Sequence, residues 1–171
     1  MDRSAPDGIS QANLERFPGR ANPLPLLVLA ALLGAAMAGL LGGLPAEVRR
    51  ADGDTAGLSV RMPEILRNGT SFETIVEVSP RRAVGNLVIG VSDGLWAEMT
   101  INTMIPAAGQ ESFAGGFHRF SFGGVEAGET FRFKIDGQVN PPVFGGTSGE
   151  IAAFDGERRL AAVPVRMKVL P

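Results

Sequence analysis

His118 is the only histidine in the 171-residue chain, and there is no cysteine. Few residues are therefore able to do chemistry. Without cysteine, thiolate zinc, iron–sulfur ligation, disulfide bridging, c-type haem attachment and a thiol nucleophile are all excluded. One histidine also rules out a multi-histidine metal site. His118 stands beside Phe117 and Phe120, with no Asp, Glu or second His at strand spacing around it. It reads as a residue that supports the fold or sits exposed, not as a metal ligand or proton relay.

Two pairs of carboxylates, Glu73/Glu77 and Glu126/Glu129, have the residue types needed for acid–base work. On a strand, however, positions i and i+4 lie ~13 Å apart, beyond the ~5–9.5 Å used in glycoside hydrolysis. They read as a solvated face. The chain has no G-x-S-x-G, S-x-x-K or phosphate-loop motif, and its Gly-Gly pairs at 115–116, 123–124 and 145–146 read as turns. Asn68-Gly69-Thr70 matches a glycosylation sequon but serves equally as a turn entering a strand. No catalytic, cofactor-binding or metal-binding residue is assigned, and the expectation is a protein that is not an enzyme. Sixteen basic and eighteen acidic residues give a net charge of −2, which leaves no electrostatic footprint for nucleic acid.

The elements around these residues divide the chain sharply. Ala21 to Ala46 is free of charge, bounded by Arg20 and Glu47. Leu24 to Leu44 would span roughly 32 Å as a helix, close to the ~30 Å hydrocarbon core of a bilayer. The expected organisation is a tail over 1–22, a transmembrane helix over 23–46, a linker over 47–56 and a β-domain over 57–171. A cleaved signal peptide is the competing reading, since Ala36-Met37-Ala38 has the small-x-small pattern. Arginines are balanced across the apolar run, so the positive-inside rule does not choose between the two orientations. A short tail before one apolar helix favours the N-terminus inside and the domain outside a bacterial inner membrane. Small residues recur at Ala31, Ala35, Gly39 and Gly43, a spacing that would let a second helix pack closely. The expected occupant of that stripe is a larger integral membrane protein or a second copy of the chain.

Beyond residue 56 the pattern changes to short alternating runs separated by turn residues. Expected strands are Leu58–Met62, Ser71–Val78, Val84–Ser92, Leu95–Ile105, Phe117–Phe122, Thr130–Asp136, Glu150–Phe154 and Leu160–Leu170. Asp93-Gly94 and Asp155-Gly156 read as tight turns. Residues 106–116 and 137–149 read as loops, and Pro164 predicts an edge or bulge. Seven or eight such strands without a helical period imply an antiparallel β-sandwich. Trp96, if it points outward from its strand, would be an aromatic anchor for a partner.

Val60…Pro63, Asn68-Gly69-Thr70-Ser71-Phe72, Val76-Glu77-Val78 and Ala127-Gly128-Glu129-Thr130-Phe131 resemble the turn-and-strand grammar of immunoglobulin-like extracytoplasmic domains of bacterial surface proteins. The whole layout, with Gly39 to Gly43 closing the apolar run and Leu170-Pro171 closing the chain, is similar to uncharacterised bacterial single-pass membrane proteins. That resemblance implies an envelope protein working beside a larger membrane protein, with no catalytic residue to carry over and no cofactor. The alternative from another class is a β-sandwich carrier or enzyme that binds a lipid, glycan or small molecule outside the membrane.

Overall fold

The computed structural model describes residues 22–41, 46–141 and 145–171. The tail, apart from Asn22, and Gly43 lie outside them. The described chain separates into an N-terminal unit and a β unit.

In the N-terminal unit, helix α1 runs over Pro23–Met37. The Asn22 side chain caps it by accepting a hydrogen bond from the Leu24 N–H at 3.0 Å. Pro23 and Pro25 fall in the first turn, where no intrahelical N–H is needed. The helix stops at Met37 for a local reason. Gly39 adopts φ +72°, its N–H donates to the Ala36 carbonyl, and the Leu40 N–H donates back to the Ala35 carbonyl. That pair of bonds is a Schellman C-cap, which closes a helix by satisfying its last carbonyls. Among the described residues of the expected helix over 23–46, the helix is corrected to 15 residues, about 22 Å of rise, while residues 42–45 lie outside the described residues. No helix among the described residues is long and apolar enough to cross a membrane.

The β unit is all-β and built from two sheets. The first has the order β1 (Glu47–Asp52), β2 (Ala56–Met62), β4 (Ser71–Pro80), β9 (Phe131–Val139) and β6 (Met99–Ile105). The second runs β3 (Ile65–Arg67), β11 (Arg158–Leu170), β10 (Thr147–Asp155), β5 (Val84–Ser92), β8 (Phe117–Val125) and β7 (Gln110–Ala114). All pairings are antiparallel except β3 with β11.

The alternation read from the sequence holds along the central strands. Phe133, Ile135 and Val139 on β9 are buried, as are Phe72, Val76 and Val78 on β4 and Val163, Val165, Met167 and Val169 on β11. These side chains form one core between the sheets. Phe120 and Phe122 of β8 meet Phe133 of β9 at ring-centroid distances of 5.9 and 4.8 Å, joining one sheet to the other.

Several expectations change. The described residues hold eleven strands, not seven or eight. The expected linker over 47–56 contains β1, which pairs with β2 from Glu47↔Met62 to Asp52↔Gly57. The expected loop over 106–116 contains β7, which pairs with β8. Both are edge strands, held by backbone bonds more than by buried side chains. Asp93-Gly94 is not a hairpin turn: helix α2 (Asp93–Trp96) carries the chain from β5 in the second sheet to β6 in the first. On β6 a register shift between Ile101 and Thr103 changes the phase, so Met104 packs on the core while Ile105 is exposed. A bulge has this effect because one extra residue reverses the two-residue period. Pro164 falls in the part of β11 that lies before β3 joins at Lys168, so that stretch pairs only with β10.

Candidate functional site

The outward face of the second sheet carries an unusual feature. Arg119 is the buried charged residue among those described; Thr74 is its only buried polar companion. Arg119 sits on β8 between His118 and Phe120, which turn the other way, toward Trp96. Beneath it, Val88, Ala152 and Phe154 form a small second apolar cluster with Phe117 and Ala162. Phe117 and Phe154 meet edge to face at 5.8 Å.

The Arg119 guanidinium stacks over the Phe154 ring at 4.8 Å from its centroid. Its Nη2 donates to the Gly156 carbonyl at 2.6 Å, and its Nη1 donates to Glu157 Oε2 at 2.5 Å. The two partners differ greatly in exposure: the Arg119 side chain is 8% exposed and that of Glu157 is 90% exposed. Glu157 stands on the turn between β10 and β11, where Gly156 has φ +57°.

A cavity of about 410 Å³ opens beside this guanidinium, lined by Asn86, Gln110, Glu111, Ser112, Ser121 and Glu157 among others. Four different segments contribute: the bulged start of β5, the edge strand β7, β8 and the β10–β11 turn. Ser121 Oγ donates to Asn86 Oδ1 at 2.6 Å. Behind Asn86, Asp155 Oδ1 accepts the Asn86 backbone N–H at 3.1 Å. That bond, helped by Arg158, holds the Asp155 carboxyl below its ordinary value, outweighing the opposing effect of burial. Asp155 therefore stays ionised and pins the β5 bulge that places Asn86. A second recess of about 260 Å³ lies on the other side of Arg119, against Phe117, Phe154 and Arg159.

The residues singled out from sequence fall elsewhere. Trp96 lies at the end of α2, not on a strand; it is half-buried, with its ring 5.6 Å from those of His118 and Phe120. The exposed aromatic nearby is Phe113 on β7, 60% exposed and 5.1 Å from the His118 ring. His118 does have a carboxylate partner: its Nε2 is 2.9 Å from Asp93 Oδ1, brought from α2 by the tertiary fold. No three-residue cluster of His, Cys, Asp or Glu suited to a metal occurs among the described residues. Glu73 and Glu77 face cations across the strand pair, Lys134 at 2.7 Å and Arg132 at 3.9 Å. The Glu73 hydrogen bond, followed by the nearby Asp136, raises the Lys134 ammonium above its usual value. Ala31 and Ala35 lie one turn apart on α1, while Gly39 forms the cap beyond the helix.

Arg119 had no distinguishing mark in the sequence. An arginine at an outward-facing position of a strand is ordinary, and only the packing of Phe117 and Phe154 around it removes it from water.

The sequence matches no protein-family model, and no curated protein matches it. Among solved structures, the chain is similar to the CARDB domain of a Pyrococcus furiosus protein crystallised in complex with di-metal ions. The identity is 10%, the TM-score 0.43, and the match covers 71% of this chain and 95% of that one.

Proposed function

We propose that this protein is a non-enzymatic, membrane-associated interaction module or accessory subunit. In this reading the apolar N-terminal segment holds it at a bacterial inner membrane, and an immunoglobulin-like sandwich stands outside with the N-terminus inside. The observation that carries the reading is helix α1. Leu24, Leu26, Leu27, Val28, Leu29, Leu32 and Leu33 are all more than half exposed, and the helix has no charged residue in its first or last turn. A helix apolar on every side has no face to give to water and needs lipid or another apolar helix around it. The charge-free stretch continues to Ala46 in the sequence.

Alkaline carbonate washing of bacterial membranes tests the attachment. The full chain is expected to stay in the pellet, and a variant lacking residues 22–41 to be released. Release of the full chain would overturn membrane attachment. Extraction in mild detergent followed by mass spectrometry tests the accessory role: co-purification of an integral membrane protein, or a dimer, is expected. A lone monomer would remove that part of the reading. Because the chain is free of cysteine, one added to the tail and one added to the sandwich report sidedness without background.

A further inference from the structure

The geometry around Arg119 points to a second property, independent of membrane attachment: a binding site for a carboxylate that carries a hydrogen-bond donor one or two atoms away. Free amino acids and peptide C-termini share that chemistry. Three observations carry it.

First, the guanidinium is held in place from behind. Its stack on Phe154 and its bond to the Gly156 carbonyl fix the plane of the fork, and the burial of its side chain is a cost the fold has already met. An arginine so oriented suits a planar carboxylate, because its donors form a rigid fork. Its hydrogen bonds to Gly156 and Glu157 use two of five donors.

Second, the carboxylate now on Arg119 is an internal stand-in. Glu157 reaches Arg119 from an exposed turn, with 90% of its own side chain in solvent. Such a long exposed side chain is weakly held, since it loses rotamer freedom in pairing and its charge is screened. An incoming carboxylate can replace it on Nη1 without any rearrangement of β8 or Phe154.

Third, the cavity is of ligand size and has the matching groups. Its volume of about 410 Å³ falls in the ~300–1,000 Å³ range of small-molecule sites. Asn86 and Ser121 are already tied together on its wall. Gln110 and Ser112 pair with Ser121 and Arg119 across β7 and β8 and so share their face, which gives the wall side-chain oxygens that accept from the ligand's N–H or ammonium. These uncharged acceptors beside the fork of Arg119 suit a ligand with a donor next to its carboxylate.

The test is NMR titration of the full, isotope-labelled chain in mild detergent, reading the Arg119 Nε–H and the side-chain amides of Asn86 and Gln110. The probes are L-alanine, tri-alanine and tri-alanine with its C-terminus amidated. Shifts of these resonances with alanine or tri-alanine, and not with the amidated peptide, are the expected result. Alanine alone would assign the site to free amino acids, and tri-alanine alone to peptide ends. Glu157→Gln is expected to tighten binding roughly threefold or more by raising the fraction of open sites. Arg119→Lys is expected to weaken it about tenfold or more by removing the fork. Glu157→Gln leaves the exposed turn intact, so its result does not depend on whether the Arg119 variant folds. The proposal is overturned if neither carboxylate probe moves these resonances at millimolar concentration. Equal shifts from the amidated peptide, or unchanged affinity in Glu157→Gln, overturn it as well.

Discussion

Gly90 on β5 lies directly against Phe154 on β10: a Cβ built on Gly90 would come within 2.8 Å of Phe154 Cε2 and 3.1 Å of Phe117 Cδ1. The two rings use the missing side chain as a seat, and Arg119 in turn stacks on Phe154. The outer apolar cluster and the candidate site thus share one support.

Gly90→Ala should lower the free energy of unfolding by roughly 1–3 kcal/mol, because the rings must move off well-packed positions. Gly85→Ala is the control on the same strand, since its Cβ would meet only Asp155 Oδ1 at 3.7 Å. Urea denaturation of both variants checks the contrast. Similar losses would show that the rings do not depend on Gly90.

Arg119→Ala should cost about 2 kcal/mol, through lost stacking on Phe154 and a lost charged hydrogen bond to the Gly156 carbonyl. Glu157→Ala should cost under about 1 kcal/mol, as expected for a partner that is almost wholly in solvent. Thermal unfolding of the two variants side by side measures the asymmetry. A Glu157 loss equal to that of Arg119 would mean that the carboxylate is a fixed structural partner.

Asp155→Ala removes the acceptor for the Asn86 N–H and should destabilise by about 1 kcal/mol at neutral pH. The folded-state carboxyl titrates below its ordinary 3.8. Its contribution is therefore complete above that value and is lost as pH falls through the lower, folded-state value. The stability gap between wild type and variant should accordingly close in that acidic window. A gap that stays constant down to about pH 2, below the usual carboxylate range, would contradict the assignment.

Gly39→Ala places a Cβ at φ +72° and should cost about 1 kcal/mol of local helix stability. Hydrogen exchange in detergent micelles is the readout. The Leu40 amide, which donates to the Ala35 carbonyl at 3.0 Å, should exchange several-fold faster. Unchanged protection would mean that the cap does not close the helix.

The inward faces of β4, β9 and β11 were legible in the sequence, because a strand buried on one side writes its environment as alternation. The edge strands β1 and β7 were not. Every residue of β7 is exposed, and so is most of β1. Such strands form through backbone bonds to a neighbour, and no side-chain period records that. The two Asp-Gly pairs show the same limit. Asp155-Gly156 closes a hairpin between β10 and β11, whereas Asp93-Gly94 begins the helical turn that crosses between sheets. The letters describe a backbone able to turn; the position of the next available strand decides what the turn does.

By itself, then, the amino-acid sequence determined the absence of thiol and multi-histidine chemistry, the charge-free N-terminal run and the alternation that makes the remainder a two-sided β-domain. These are properties of composition and local order. Tertiary structure alone decided that His118 meets Asp93 and that Arg119 is buried against Phe154 beside a polar cavity. Each depends on groups 25 to 38 residues apart, and nothing in local spacing records which strands will lie side by side.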